Sequence, residues 1–342
     1  RRPRTSTGAA PCCPGWWSRR GLRGWRTERS ATLAAVNRIG IIVTDPASYP
    51  PQDVDHDTSL LLAALRDRGA TAEAVVWHDS GIDWTGFDLL VIRSPWDYVA
   101  RPAEFADWLD RTGAAGVRIL NDPRLIRWNM DKHYLADLAG RGVAVVPTGY
   151  HHTLPSVRAA LVALAAQGRV VVKPTVGAGS SQTGLFAASD PAAVDLAAQI
   201  LNSGASVMVQ PEVPELSAGK EKALYLIDGA LSHAIAKGAL LAPGGGFLGG
   251  TYREHPVVVE TTTAEQEFAG RVVAEAGRFT RTDLPLYGRI DMVDTGGPDG
   301  QGLVLLEAEL FEPDLHLDVV PDVAGRLADA ILARVSGRVA TV

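Results

Sequence analysis

Cysteine is nearly absent from this chain of 342 residues: the two it has, Cys12 and Cys13, are adjacent and close to the start. Residues 36–342 therefore contain neither a disulfide framework nor a cysteine-ligated metal. No apolar run approaches the roughly 20 residues that a membrane-spanning helix needs. Aromatic residues make up 6% and charged residues 21%, against 46% hydrophobic, the balance of an ordinary globular protein with a sizeable core. The expected location is the cytoplasm.

The formal charge of −6 is unevenly spread. Residues 1–35 hold eight Arg against one acidic residue, Glu28, near +7, which leaves near −13 for the rest. This leader has no helical or strand period and no apolar centre of a secretory signal. It reads as a disordered extension, or as translation upstream of a body that begins near Val36. A nucleic-acid-binding role would rest on this Arg-rich arm alone.

From Val36 to residue 125, short apolar strands alternate with amphipathic helices. "NRIGIIVTDP", "TAEAVVWHD", Leu89 to Ile92 and "VRILND" are the strands, with helices over 58–70 and in "AEFADWLDRTGAAG". That alternation predicts a small α/β domain with a parallel sheet. Ligands of such sheets bind beyond the strands' carboxyl ends, where "RSPWDY" (93–98) falls. Arg93 is a candidate for a substrate carboxylate and Trp96 for a pocket wall; a structural turn fits equally well. The Trp residues at 77, 84 and 108 are assigned to the core.

The second half is more β-rich, an α+β pattern. "IRWNMDKHYLADLAGRGVAVVPT" (126–148) reads as a helix, a glycine stop and a strand. A helix (155–167), the strand "RVVVKP" (169–174), a Gly/Ser-rich stretch, a helix (191–202) and the strand "VMVQPEV" (207–213) follow. "KALYLIDGALSHAIAKG" alternates around a hairpin turn at Asp228-Gly229. A helix over 264–277, strands over 286–294 and 303–310, and a terminal helix over 321–335 complete the chain.

The chemistry starts from "GLVLLEAELFEP" (302–313), an apolar strand that turns abruptly acidic. Glu307 and Glu309 share one face of it and repel each other unless neutralised. A hairpin with "YGRIDMVD" sets Asp291 opposite Glu307 and Arg289 opposite Glu309. Oxygen ligands without His or Cys suit a hard cation that shares its coordination with phosphate. A solvated strand face with cross-strand ion pairs is the alternative. Phosphate-binding groups are present in "VVVKPTVGAGSSQTG": Lys173 ends a buried strand, and Gly177, Gly179, Ser180 and Ser181 allow close approach of backbone N–H groups to an anion. The spacing matches neither a P-loop nor a dinucleotide fingerprint. The stretch "PGGGFLGGTYREH" (243–255) is either a lid over the second substrate or an ordinary loop.

Taken together in order, residues 126–320 resemble the ATP-grasp ligases, in the branch of glutathione synthetase and the ribosomal-protein glutamate ligases. The resemblance implies a pre-grasp domain (36–125) followed by an ATP-grasp fold of two α+β subdomains (126–205 and 206–342). It implies ATP with Mg²⁺ or Mn²⁺ as cofactors. Lys132 and Lys173 would contact the nucleotide phosphates, and the 177–184 loop would close over them. The backbone of Gln210, Pro211, Glu212 and Val213 would read adenine, with Glu215 or Glu212 on the ribose. "GKEKALYLIDGALSHAIAKG" matches a family segment through Glu221, Lys222, His233 and Lys237, which makes Lys237 catalytic and Lys222 a substrate contact. Asp291 and Glu307 would hold the metal, with Glu309 as a third ligand where the family often has Asn. Arg289 would face the γ-phosphate or the acyl phosphate. Lys222 stands where Arg is common, and lacks its bidentate fork.

The implied reaction is carboxylate–amine ligation through an acyl phosphate, releasing ADP and phosphate. "RSPWDY" and "LLEAELFEP" together are similar to small-molecule members such as the O-ureido-serine cyclo-ligases of cycloserine biosynthesis. The partner implied is then a small amino-acid-like molecule, not nucleic acid or membrane, and a homo-oligomer is compatible with it. Ligation of an amino acid to a peptide or protein tail, or an ATP-binding regulatory module without turnover, are the alternatives.

Overall fold

The computed structural model describes residues 37–48, 55–246, 248, 256–296 and 301–336. The leader of residues 1–35 and most of the 243–255 stretch, expected respectively as an extension and a lid or loop, lie outside these. Thirteen strands among the described residues form three sheets.

The first sheet is parallel, in the order β2-β1-β3-β4, from β1 (Arg38–Val43), β2 (Thr71–Val76), β3 (Leu89–Ser94) and β4 (Ile119–Leu120). Burial on both faces explains why its strands are nearly continuous apolar runs rather than alternating ones. One face packs on Phe105, Trp108 and Leu109 of the helix Pro102–Ala114, where Trp77 is also buried and Trp84 is half-buried. The other face meets helix Asp57–Asp67 and the terminal helix Asp322–Val335.

The second sheet is antiparallel, in the order β5-β8-β6-β7, from β5 (Gly149–His151), β6 (Arg169–Pro174), β7 (Gly184–Ala187) and β8 (Val207–Pro211). Alternation sorts its two faces. Val170, Val172, Val207 and Val209 pack on the helices Leu154–Leu164 and Pro191–Asn202. Val171, Lys173 and Gln210 face the other way. The subdomain boundary expected at 205/206 would have separated β8 from this sheet, but β8 is hydrogen-bonded within it, between β5 and β6.

The third sheet is also antiparallel, in the order β11-β10-β9-β12-β13, from β9 (Glu221–Ile227), β10 (Ala230–Lys237), β11 (Val257–Val258), β12 (Tyr287–Asp294) and β13 (Leu303–Glu309). Asp228 and Gly229 turn the β9–β10 hairpin with φ of 49° and 77°, the left-handed pair that such a turn requires. Leu224, Leu226, Ile290 and Met292 cover helix Thr263–Thr280, whose start carries the Thr262–Glu265 capping box. The opposite face packs against the first sheet's helices at one end, through Tyr225, Ile227 and Tyr287, and carries charge at the other.

Two details differ from the sequence reading. The helix expected from 126 is two short ones, Pro123–Asn129 and Tyr134–Ala139, with Lys132 between them. The strand expected up to Pro147 is only a bridge from Val145 to Leu305.

Asn121 ties the first sheet to the third. Its buried amide donates to the carbonyls of Tyr287 (3.0 Å) and Leu310, and accepts from the Leu286 N–H at 2.6 Å. Truncation orphans three buried backbone groups at about 1–3 kcal/mol each. Asn121→Ala is therefore expected to lower unfolding stability by about 3 kcal/mol or more, read as a lower urea midpoint at unchanged m-value. A loss below about 1 kcal/mol would contradict this account of the junction.

Candidate active site

A cleft opens between the polar faces of the second and third sheets. Its apolar part is lined by Val146, Val171, Leu185, Leu216, Leu240 and Leu306, beside Gln210, Pro211, Glu212 and Val213. Its polar end holds Lys132, Lys173, Lys237, Arg289, Asp291, Glu307 and Glu309. The cross-strand register is the one the sequence implies: Asp291 pairs with Glu307, and Arg289 with Glu309. A β-bulge falls just beyond, where Met292 pairs with Leu305, so Leu306 and Glu307 both reach the cleft.

Each acid is neutralised by protein cations. Arg289 grips Asp291 with two hydrogen bonds of 2.8 Å each and also donates to Glu309. Lys237 reaches Asp291 at 3.1 Å. Lys132 reaches Glu307 at 3.0 Å and donates to the Gly177 carbonyl at 2.7 Å. Lys173 has no ion pair with the acids within 4 Å among the described residues; burial pulls its pKa down, Glu307 opposes this, and neighbouring Lys132 adds to it. An ammonium in that position is poised to receive an anion.

The 177–184 loop follows directly from β6. Gly179 has φ of 57°, and Ser180 and Gln182 also take left-handed backbone at 53° and 51°. Two successive turns, Ser181 N–H to the Ala178 carbonyl (3.1 Å) and Thr183 N–H to the Ser180 carbonyl (3.2 Å), fold Gly177, Gly179, Ser180 and Ser181 along the cleft.

The acids titrate apart. Burial pushes Glu307 up, but Lys132 and Lys173 outweigh it and hold the group at about 2. For Glu309 burial wins over Arg289, and its pKa lies well above the carboxylate range. Glu312, to which the sequence reading gave no role, is raised to about 7 by burial, with Lys132 opposing and Glu307 adding.

Four expected site residues lie elsewhere. Lys222 points to the other face of β9, where Glu265 of the capping box takes it at 2.8 Å; strand parity puts it opposite Glu221, Ala223 and Tyr225. Glu215 lies outside the cleft lining, whereas Glu212 is in it, paired with Arg169 (2.7 Å) and Ser217 (2.5 Å). Arg93 is buried, bonded to Asp57 (3.0 Å) and the Pro313 carbonyl (2.8 Å), with its guanidinium 4.9 Å from the Tyr287 ring centre. Trp96 donates to the Glu312 carbonyl at 2.8 Å. "RSPWDY" thus grips segment 310–317 rather than lining the cleft, and its Tyr98 hydroxyl donates to the Glu312 carboxylate at 3.2 Å. His233 is a satisfied strand residue, bonded to the Leu315 carbonyl at 3.0 Å and pushed by burial to about 4.

Among the described residues, no group of three or more His, Cys, Asp or Glu side chains is close enough to hold a metal alone. The expected trio of Asp291, Glu307 and Glu309 is not a preformed cage. The oxygen-only pair Asp291 and Glu307 instead suits a hard cation whose remaining ligands are phosphate oxygens and water.

Glu312 also yields a sign. Its folded pKa of about 7 lies above the ordinary 4.5, so it costs nothing at low pH and destabilises the fold as pH rises from about 4.5 through 7. In the nucleotide-free protein, Glu312→Gln is expected to be about 3 kcal/mol more stable than wild type above pH 7. The two should converge below about pH 4.5, as measured by urea unfolding across pH; a constant difference would refute the assignment.

Comparison with known proteins accords with this geometry. Residues 39–121 match the family "D-cycloserine synthetase DcsG, N-terminal domain". The cycloserine biosynthesis protein DcsG of Streptomyces lavendulae is 37% identical over 300 residues, covering 86% of this chain and 97% of that protein. A crystal structure of D-cycloserine synthetase DcsG superposes with a TM-score of 0.77 at 36% identity, over 87% of this chain and 99% of the other. The RimK-domain ATP-grasp protein of Sphaerobacter thermophilus shares the fold at a TM-score of 0.60 and 18% identity, over 86% and 99%. The charged cleft between two antiparallel sheets therefore belongs to an ATP-grasp ligase, and this chain is a member of the DcsG family.

Proposed function

We propose that this ligase activates a small amino-acid-like carboxylate as an acyl phosphate and closes it onto a nitrogen of the same molecule, the ring closure that D-cycloserine formation requires. The observation that carries the reading is the convergence of Lys132, Lys173, Lys237 and Arg289 with Asp291, Glu307 and Glu309 at the end of an apolar cleft. The apolar lining suits a base, and Gln210 to Val213 lie along it. Lys132, Lys173 and Lys237 would bind the phosphates, and Glu212, rather than Glu215, the ribose.

Asp291 and Glu307, with Glu309 as a third donor, would hold Mg²⁺ or Mn²⁺. The ion, when bound, supplies charge neutralisation on the phosphates. Arg289 orients the substrate carboxylate and the transferring phosphoryl group. A carboxylate oxygen attacks the γ-phosphorus and ADP leaves. The substrate nitrogen then attacks the acyl carbon, the bond to the phosphoryl oxygen breaks, and the nitrogen loses a proton as phosphate departs. No protein nucleophile is needed; positioning and electrostatics carry the reaction.

In domain terms, we place the pre-grasp domain at 36–125 and end the first grasp subdomain after Pro211, where the second sheet ends. No described helix is long and apolar enough to cross a membrane, and we assign the enzyme to the cytoplasm.

The test is O-ureido-serine labelled with ¹⁸O in its carboxylate, with Mg·ATP and the full chain. The expected products are ADP, a cyclised amino acid and phosphate carrying one ¹⁸O. Glu307→Gln should lower turnover by about 10²–10³-fold, and chelation of the metal should abolish it reversibly. AMP with pyrophosphate, or unlabelled phosphate, would contradict the mechanism.

A further inference from the structure

Arg289 has one weakness in the arrangement just described. Among the described residues, the hydrogen bonds of its guanidinium go to Asp291 and Glu309, the acids that the proposed reading gives to the metal. Once those oxygens are engaged, the guanidinium needs another partner to hold it over the reacting groups.

The row of side chains across the third sheet offers one. His233, Tyr225, Arg289 and Glu309 pair successively on β10, β9, β12 and β13, so their side chains share one face. This row lies two residues, about 7 Å, from the Asp291–Glu307 row. Lys237 and Glu221 lie on the far side of that row. Tyr225 is 1% exposed, and its buried hydroxyl has no hydrogen-bond partner among the described residues. Among neighbouring charges, that of Arg289 acts most strongly on this hydroxyl.

A buried orphan hydroxyl is costly, and one that stands beside a buried cation calls for an explanation. The ring is also fixed: His233 stacks on it at 4.1 Å and 7°, and His316 meets it edge-on at 6.2 Å. His233 is itself anchored to the Leu315 carbonyl at 3.0 Å. Tyr225 is therefore a rigid group with a free acceptor beside a cation about to lose its partners.

We propose that Tyr225 is the positioning residue for Arg289: its phenol oxygen accepts a guanidinium N–H when Asp291 and Glu309 turn to the metal, and its hydroxyl proton is then directed at the substrate side. The inference rests on the ligase reading above. It explains why a tyrosine, rather than a phenylalanine of the same packing volume, stands in an otherwise apolar position of β9.

The test compares wild type with Tyr225→Phe, Arg289→Ala and the double variant. Because the hydroxyl has no partner among the described residues, Tyr225→Phe should leave the nucleotide-free Tm unchanged or slightly higher. The rise in Tm on adding Mg·ATP should be smaller than in wild type. Its kcat/KM should fall about tenfold or more, the effect of one hydrogen bond to a charged group, yet change less than twofold in the Arg289→Ala background. A nucleotide-free Tm lowered by several degrees would assign Tyr225 a structural role and overturn the proposal. Additive losses, or a Tyr225→Phe variant equal to wild type in Tm shift and turnover, would overturn it too, while leaving the ligase reading intact. A wild type with neither Mg·ATP stabilisation nor ADP release would defeat the ligase reading, and this inference with it.

Discussion

The structure depends on mutual neutralisation of buried charge at the junction of two antiparallel sheets. Asp291 and Glu307 face each other across a strand pair, where like charges repel. They are tolerable because Arg289 and Lys237 hold the first and Lys132 the second. Neither set could stay desolvated alone, since an unpaired buried charge costs several kcal/mol. The cleft is thus a reservoir of paired charges, and under the proposed function binding Mg·ATP would exchange partners: acids to the metal, cations to the phosphates.

The surrounding fold serves that exchange. The second sheet brings Lys173 and the Gly/Ser loop from one side, and the third brings the acids from the other. The parallel first sheet supplies no cleft-lining residue; its contribution is indirect. Through Arg93, Trp96 and Tyr98 it grips segment 310–317, which fixes Glu312 beside the charged end. Asp57 completes the grip, accepting from Arg93 and from the backbone N–H groups of Leu315 (2.5 Å) and Leu317 (2.8 Å).

Much of this was legible in the sequence because strands have a period of two. Parity alone put Arg289 with Asp291 and Glu307 with Glu309, the Gly/Ser stretch after a buried strand marked Lys173, and the resemblance to ATP-grasp ligases added Lys132 and Lys237. The same parity, applied to "EKALYLI", would have moved Lys222 to the helix-covered face, where Glu265 holds it. Other features were out of reach. The partners of Arg93 lie 36 and 220 residues away. The bulge at Leu306 interrupts the alternation without any glycine or proline to mark it. Glu312 follows the end of β13, where strand period no longer applies. Nothing in the apolar run of β9 distinguishes Tyr225 from a core aromatic, and its orphaned hydroxyl is visible only in the structure.

Partner exchange makes a direct thermodynamic demand. If protein cations occupy the acids, Mg²⁺ alone should bind weakly, and a nucleotide that withdraws those cations should tighten it. Titration calorimetry of Mg²⁺ into the full chain, with and without a non-hydrolysable ATP analogue at saturation, measures this coupling after correction for Mg²⁺ binding to the free analogue. The account predicts affinity at least about 100-fold higher with nucleotide present, a coupling near 3 kcal/mol. Equal Mg²⁺ affinity in both titrations would contradict it.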